Sequence, residues 1–300
     1  QFFQEAAGLF DFNLGGQTQM FYSRRIGIND GQLTSVYGGA RLTGKIDANT
    51  DIGFLSMQTA PLRDNGENVI RASENFTTLR LRRKFYNKQS FIGLMATNRW
   101  LENKTNTGIG LDMLINPSGD HYFVGALAHT FDSGKPVKPE ASRINIRYEL
   151  RKTDGIFGQI SYTYSGREFN PMSGFVDRTD FHYLKGRINW GKFASNKNRK
   201  YQYIRWQMVD MDVYRSATNN IWESVELESS LQMNTFRGVE SNWEVTYNYE
   251  FLPSPLTFSD KTTVAAGNYH FGQASYEYLE PRAKTFRNSI NVSAGSFFNG

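Results

Sequence analysis

The sequence predicts an all-β protein, an antiparallel transmembrane β-barrel of about fourteen strands that belongs to a larger barrel. Three observations carry the prediction. Apolar and polar residues alternate with period two along most of the 300 residues, the signature of strands whose side chains point to opposite faces. The alternating runs are each about ten residues long, against a soluble mode of about five or six, and a tilted strand crosses a bilayer in about 9–11. Aromatic residues make up 15% of the chain, and Trp100, Tyr164, Trp190, Trp222 and Trp243 fall near run ends, where amphipathic rings mark a lipid–water boundary.

Taken in chain order, residues 1–27 carry no sustained alternation and are expected to form an N-terminal linker or plug, and residues 28–300 the barrel. Weaker alternation covers 35–46, 50–59, 76–85, 90–100, 106–116 and 121–131. It sharpens in "RINIRYELR", where Ile144, Ile146, Tyr148 and Leu150 interleave with Arg143, Asn145, Arg147, Glu149 and Arg151. "GIFGQISYTY" sets Ile156, Gly158, Ile160, Tyr162 and Tyr164 on one side, and "YLKGRINW" sets Leu184, Gly186, Ile188 and Trp190 against Tyr183, Lys185, Arg187 and Asn189. After 201–214, "VELESSLQM" opposes Val225, Leu227, Leu231 and Met233 to Glu226, Glu228 and Gln232. The clearest run is "SNWEVTYNYEF", with Trp243, Val245, Tyr247, Tyr249 and Phe251 in one series and Asn242, Glu244, Thr246, Asn248 and Glu250 in the other. Further strands are expected in 264–278 and 286–298. Clusters such as "NPSGD", "DSGKPVKP" and "SNKNRK" supply the turns.

Composition narrows the classes. The mean hydropathy is negative, and no uncharged apolar run approaches the ~20 residues of a spanning helix. Without cysteine, disulfides and thiolate metal sites are excluded. A net charge of +5, dispersed among apolar residues, makes a poor nucleic-acid footprint. The opening "QFFQEAAGLFDF" reads as the start of a processed or truncated piece. A soluble sandwich or propeller also alternates, but no blade-like repeat is present.

In a barrel, arginine on the lipid side near the midplane costs about 2–4 kcal/mol, so the charged series faces inward. The expected lumen-lining residues are Arg41, Lys45, Arg80, Arg82, Arg143, Arg147, Arg151, Lys185 and Arg187 from earlier strands, and Glu226, Glu228, Glu244 and Glu250 from later ones. Opposed ladders would set a transverse field across a lumen, and local pairing into salt bridges is the alternative. Arg24 and Arg25 in "FYSRRIG" suggest docking of the N-terminal segment against Glu5 or Asp11, or else a solvated turn. The long segment "GREFNPMSGFVDRTDF" (166–181) is a candidate constriction or partner contact, or an ordered loop closed by an Asp177–Arg178 pair.

The motifs "FFQEAAGLFDF" (2–12), "FYSRRIG" (21–27), "GGARLTGK" (38–45) and "GREFNPMSGFVDRTDF" resemble a family of Bacteroidota outer-membrane β-barrels of undefined function. Members of that family usually follow a periplasmic module similar to carbohydrate-binding family 9. Ala6 stands where the family's first motif carries glycine. The resemblance implies an upstream module, a barrel continuing beyond Gly300 and location in the bacterial outer membrane, and it supplies no catalytic residues.

The expected function is a channel for polar solutes or the membrane unit of a cell-surface complex. A plugged structural barrel anchoring a carbohydrate-binding module or partner lipoproteins is the alternative. A membrane-bound hydrolase ranks lower, since no Gly-x-Ser-x-Gly elbow is present and only Asp120, His121 and His129 suggest a strand-built acyl-transfer site. The four histidines lack metal-ligand spacing, and no cofactor is expected. Expected partners are outer-membrane lipid, surface lipoproteins or other outer-membrane subunits, and a saccharide.

Overall fold

A computed structural model describes residues 7–29, 31–64, 68–196, 199–259, 262–281 and 286–298. Its main feature is a 14-stranded sheet. The strands are β1 (Val36–Asp47), β2 (Thr50–Thr59), β3 (Glu74–Lys84), β4 (Phe91–Leu101), β5 (Lys104–Ile115), β6 (His121–Asp132) and β7 (Ser142–Leu150), then β8 (Gly155–Ser165), β9 (Phe181–Phe193), β10 (Tyr203–Ser216), β11 (Trp222–Asn234), β12 (Glu240–Leu252), β13 (Gly267–Leu279) and β14 (Ser289–Gly295). Each strand neighbours the next in sequence, so the sheet is a meander. Short turns suffice for such connections. Three two-stranded ribbons, Ile28–Asn29 with Gln32–Leu33, Leu62–Asp64 with Asn68–Arg71, and Leu256–Ser259 with Thr262–Val264, lie outside it.

The barrel expectation fails at the sheet's ends. β1 pairs only with β2 and β14 only with β13 among the described residues, so the sheet is open. Barrel closure requires the first and last strands to exchange hydrogen bonds. Without it the described strands enclose no lumen, and the channel, plugged-barrel and porin-like readings are overturned. The membrane-spanning barrel, the assignment to the bacterial outer membrane and the resemblance to an outer-membrane barrel family fall on the same ground. No described helix is long and apolar enough to cross a membrane.

Two compact units divide the chain: Gln1–Ile146 with Thr163–Phe181, and Arg147–Tyr162 with His182–Gly300. In the first, the expected wet face is instead packed. Phe10, Phe12, Leu14, Met20 and Ile26 of the N-terminal segment form one buried cluster with Leu55, Met57, Phe76, Met95, Ala126, Ala128 and Phe169. Glycine makes room for these rings. A Cβ on Gly53 would come within 2.9 Å of Phe10 and one on Gly110 within 2.5 Å of Phe12, so missing side chains mark close approach here. The opposite series, including Ile92, Ile109, Leu111 and Leu127, is exposed.

In the second unit the strand series separate just as cleanly. On β12, Trp243, Val245 and Tyr247 are exposed, and the register pairs Glu244 with Ser230 of β11 and Ser275 of β13. The rings of Trp243 and Tyr276 lie 5.2 Å apart, tilted by 36°, a cross-strand aromatic pair of the kind that stabilises sheets.

Candidate functional site

Arginines of the first unit hold down its own N-terminal segment. Arg80, fully buried, forks onto Asp112 with two 2.6 Å bonds and donates to the carbonyls of Leu9 (3.1 Å) and Asp11 (3.3 Å). Arg143 donates to the carbonyls of Leu14 (3.0 Å), Gly15 (2.9 Å) and Arg178 (2.9 Å), and to Asp177 at 3.2 Å. Arg99 bridges Glu74 (2.7 Å) and the Met172 carbonyl (2.9 Å). A guanidinium suits this work because its fork satisfies several buried oxygens at once.

The segment 166–181 is the second half of that closure. Gln19 and Phe175 exchange backbone hydrogen bonds of 2.9 and 3.0 Å, and Tyr22 donates to the Ser173 carbonyl. Asp177 makes an ion pair with Arg143, and it accepts from the Thr18 hydroxyl and from the backbone N–H of Arg178 at 2.8 Å. Burial works to raise the Asp177 pKa, but the Thr18 hydroxyl and the Arg143 charge outweigh it and hold the carboxyl below its ordinary value. Arg25 does dock, through Nε to the Gly174 carbonyl at 3.0 Å. Arg24 is exposed. The Asp11 backbone, not its carboxylate, takes an arginine, and Glu5 lies outside the described residues.

The expected opposed ladders resolve into local pairs. Arg82 meets Asp51 at 3.5 Å, and Arg147 and Arg151 share Glu149 at 2.7 and 2.5 Å. Lys185 meets Asp212 at 2.7 Å and Arg187 pairs with Asp210. Arg41, half-buried, lies opposite Leu55, and Lys45, exposed, lies opposite Asp51. Glu226, Glu228 and Glu250 lie opposite Asn248, Thr246 and Ser224, and Glu228 accepts from Gln207 at 2.6 Å.

Two adjoining cavities that share Arg205 and Gln207 lie along the polar series of the second unit and together make up its groove. One end, about 190 Å³, is lined by Arg205, Gln207, Glu228, Gln232, Glu244 and Glu277, among others. The other, about 290 Å³, shares Arg205 and Gln207 and adds Lys152, Phe157, Gln159, Arg187 and Asn189. The acidic end carries an electrostatic cost. Burial raises the Glu244 pKa, and Glu228, Glu226 and Glu277 raise it further. A carboxyl with a raised folded-state pKa destabilises the fold when ionised and ceases to do so as pH falls through that raised value. Glu244→Gln is therefore expected to stabilise the protein at pH 7 by about 0.2–1 kcal/mol. Thermal melts at pH 7 and pH 4 check this, with the gain shrinking at pH 4. No group of three or more metal-ligating side chains gathers among the described residues.

At the other end the chemistry is that of recognition. Asn189 is 3% and Gln207 6% exposed. Arg205 Nε is buried without a hydrogen-bond partner. Phe157 lies on the polar series, out of phase with its neighbours. Gly191 makes room beside it, since a Cβ there would come within 3.1 Å of Phe157 and 2.6 Å of the Tyr203 hydroxyl. That hydroxyl donates to the Thr153 carbonyl at 2.9 Å.

Sequence reasoning missed Phe157, Asn189, Arg205 and Gln207 as a group. The available signal was a ring in the polar series of "GIFGQISYTY". Asp120, His121 and His129 are not brought together: His121 and His129 are eight residues apart on β6, roughly 27 Å at strand rise. His129 Nδ1 instead meets Ser142 Oγ at 2.8 Å, and its Nε2 is buried without a partner. No protein-family model, curated protein or solved structure matches this chain.

Proposed function

We propose that this chain is a non-enzymatic saccharide-binding protein whose ligand lies in the groove of the second unit. The observation that carries the reading is the half-buried ring of Phe157 beside two buried amides, Asn189 and Gln207, in an open polar groove. Apolar C–H faces of a sugar ring pack on an aromatic face, while fixed amides exchange hydrogen bonds with its hydroxyls. Both parts sit on adjacent strands, so their spacing is set by the sheet and costs little ordering on binding.

The first unit supports the reading by contrast. Its polar face is closed by the chain's own segment and by arginines bound to that segment's carbonyls, whereas the groove walls are strand residues and the short β7–β8 connection.

Titration calorimetry against oligosaccharides is expected to detect binding that Phe157→Ala weakens about tenfold or more, equivalent to about 1.4 kcal/mol. Val245→Ala, on the opposite series, should leave affinity unchanged. Binding unaffected by Phe157→Ala would remove the groove from the interaction.

A further inference from the structure

The groove's two ends differ in charge, and the difference selects a ligand class. Resting on the saccharide reading above, we infer that the ligand is an acidic sugar whose carboxylate is taken by Arg205, with Lys152 at the rim. At the Phe157 end, the local ion pairs leave these two cations over. Arg151 is engaged by Glu149 and Arg187 by Asp210, while Arg205 Nε is buried and has no acceptor. A buried guanidinium donor without an acceptor is costly to leave so, and a ligand carboxylate satisfies it in the planar, two-point geometry that a guanidinium favours. Lys152 is exposed and makes no ion pair among the described residues.

The acidic end sets direction. Arg205 lies opposite Gln232 in the register, and Ser230 lies opposite both Gln207 and Glu244. Glu228, Glu244 and Glu277 would repel a carboxylate placed among them. An acidic sugar is thus held with its charge at Arg205 and its ring towards Phe157, and the neighbouring residue of a chain at the acidic end is best neutral. Asn189 and Gln159 remain for hydroxyls.

The test compares a galacturonate tetramer with its methyl ester, which keeps the hydroxyls and removes the charge. The wild-type protein is expected to bind the tetramer at least tenfold more tightly than the ester, with an advantage that shrinks as salt is raised. Arg205→Gln should abolish the preference and Arg205→Lys retain part of it. Lys152→Gln, at an exposed position where folding is not at stake, should reduce it. Equal binding of tetramer and ester, or a preference that survives both Arg205→Gln and Lys152→Gln, would overturn the acidic ligand while leaving a saccharide site. Binding of neither, or of both with no effect of Phe157→Ala, would overturn the site itself.

Discussion

Replacing Arg80 with Met is expected to destabilise the protein by about 3–5 kcal/mol, the cost of leaving one member of a buried ion pair alone. Asp112 would lose both 2.6 Å bonds, and the carbonyls of Leu9 and Asp11 would lose a donor. The ring of Phe12, 5.3 Å from the guanidinium carbon, would lose its cation contact as well. Denaturant unfolding of the single variant and of Arg80→Met with Asp112→Leu separates the contributions. The double variant should recover much of the loss, because replacing both partners removes the stranded charge. A loss below about 1 kcal/mol in the single variant would give this pair the weight of a surface salt bridge.

Arg143→Met has an expected cost of similar size, about 3–5 kcal/mol, and a more local consequence. Arg143 is the donor shared by the N-terminal segment, through Leu14 and Gly15, and by the segment 166–181, through Asp177 and the Arg178 carbonyl. Losing it should let residues 8–26 open before the sheet unfolds. Limited trypsin digestion should then cut at Arg24 and Arg25 at least tenfold faster, equivalent to about 1.4 kcal/mol of easier opening. Unchanged cleavage would show that Phe12, Leu14 and Met20 hold the segment by packing alone. Acid should mimic part of the effect. Because the Asp177 pKa is lowered, its contribution is complete above the ordinary carboxylate range and is lost as pH falls through the lowered value.

Where the strands run and which residues share a face were legible in the residue pattern alone. "SNWEVTYNYEF" became most of β12, with Trp243, Val245 and Tyr247 exposed on one side and Glu244 on the other, because a period of two survives in any sheet. The sequence also singled out Arg25 and the segment 166–181, which the structure joins through the Gly174 carbonyl. Closure was not legible. Alternation reports a strand's two faces and says nothing of its edges, so an open meander and a barrel read alike until β1 and β14 are seen to lack second partners among the described residues. What covers a face was equally hidden. Polar residues promise water only if nothing else satisfies them, and here Arg80 and Arg143 bind backbone carbonyls of a segment more than 60 residues away in sequence. Tertiary structure decided both, because a buried arginine is stable wherever enough oxygens converge on it. The groove followed the same logic: Phe157, Asn189 and Arg205 come from three strands, and only their pairing order made them neighbours.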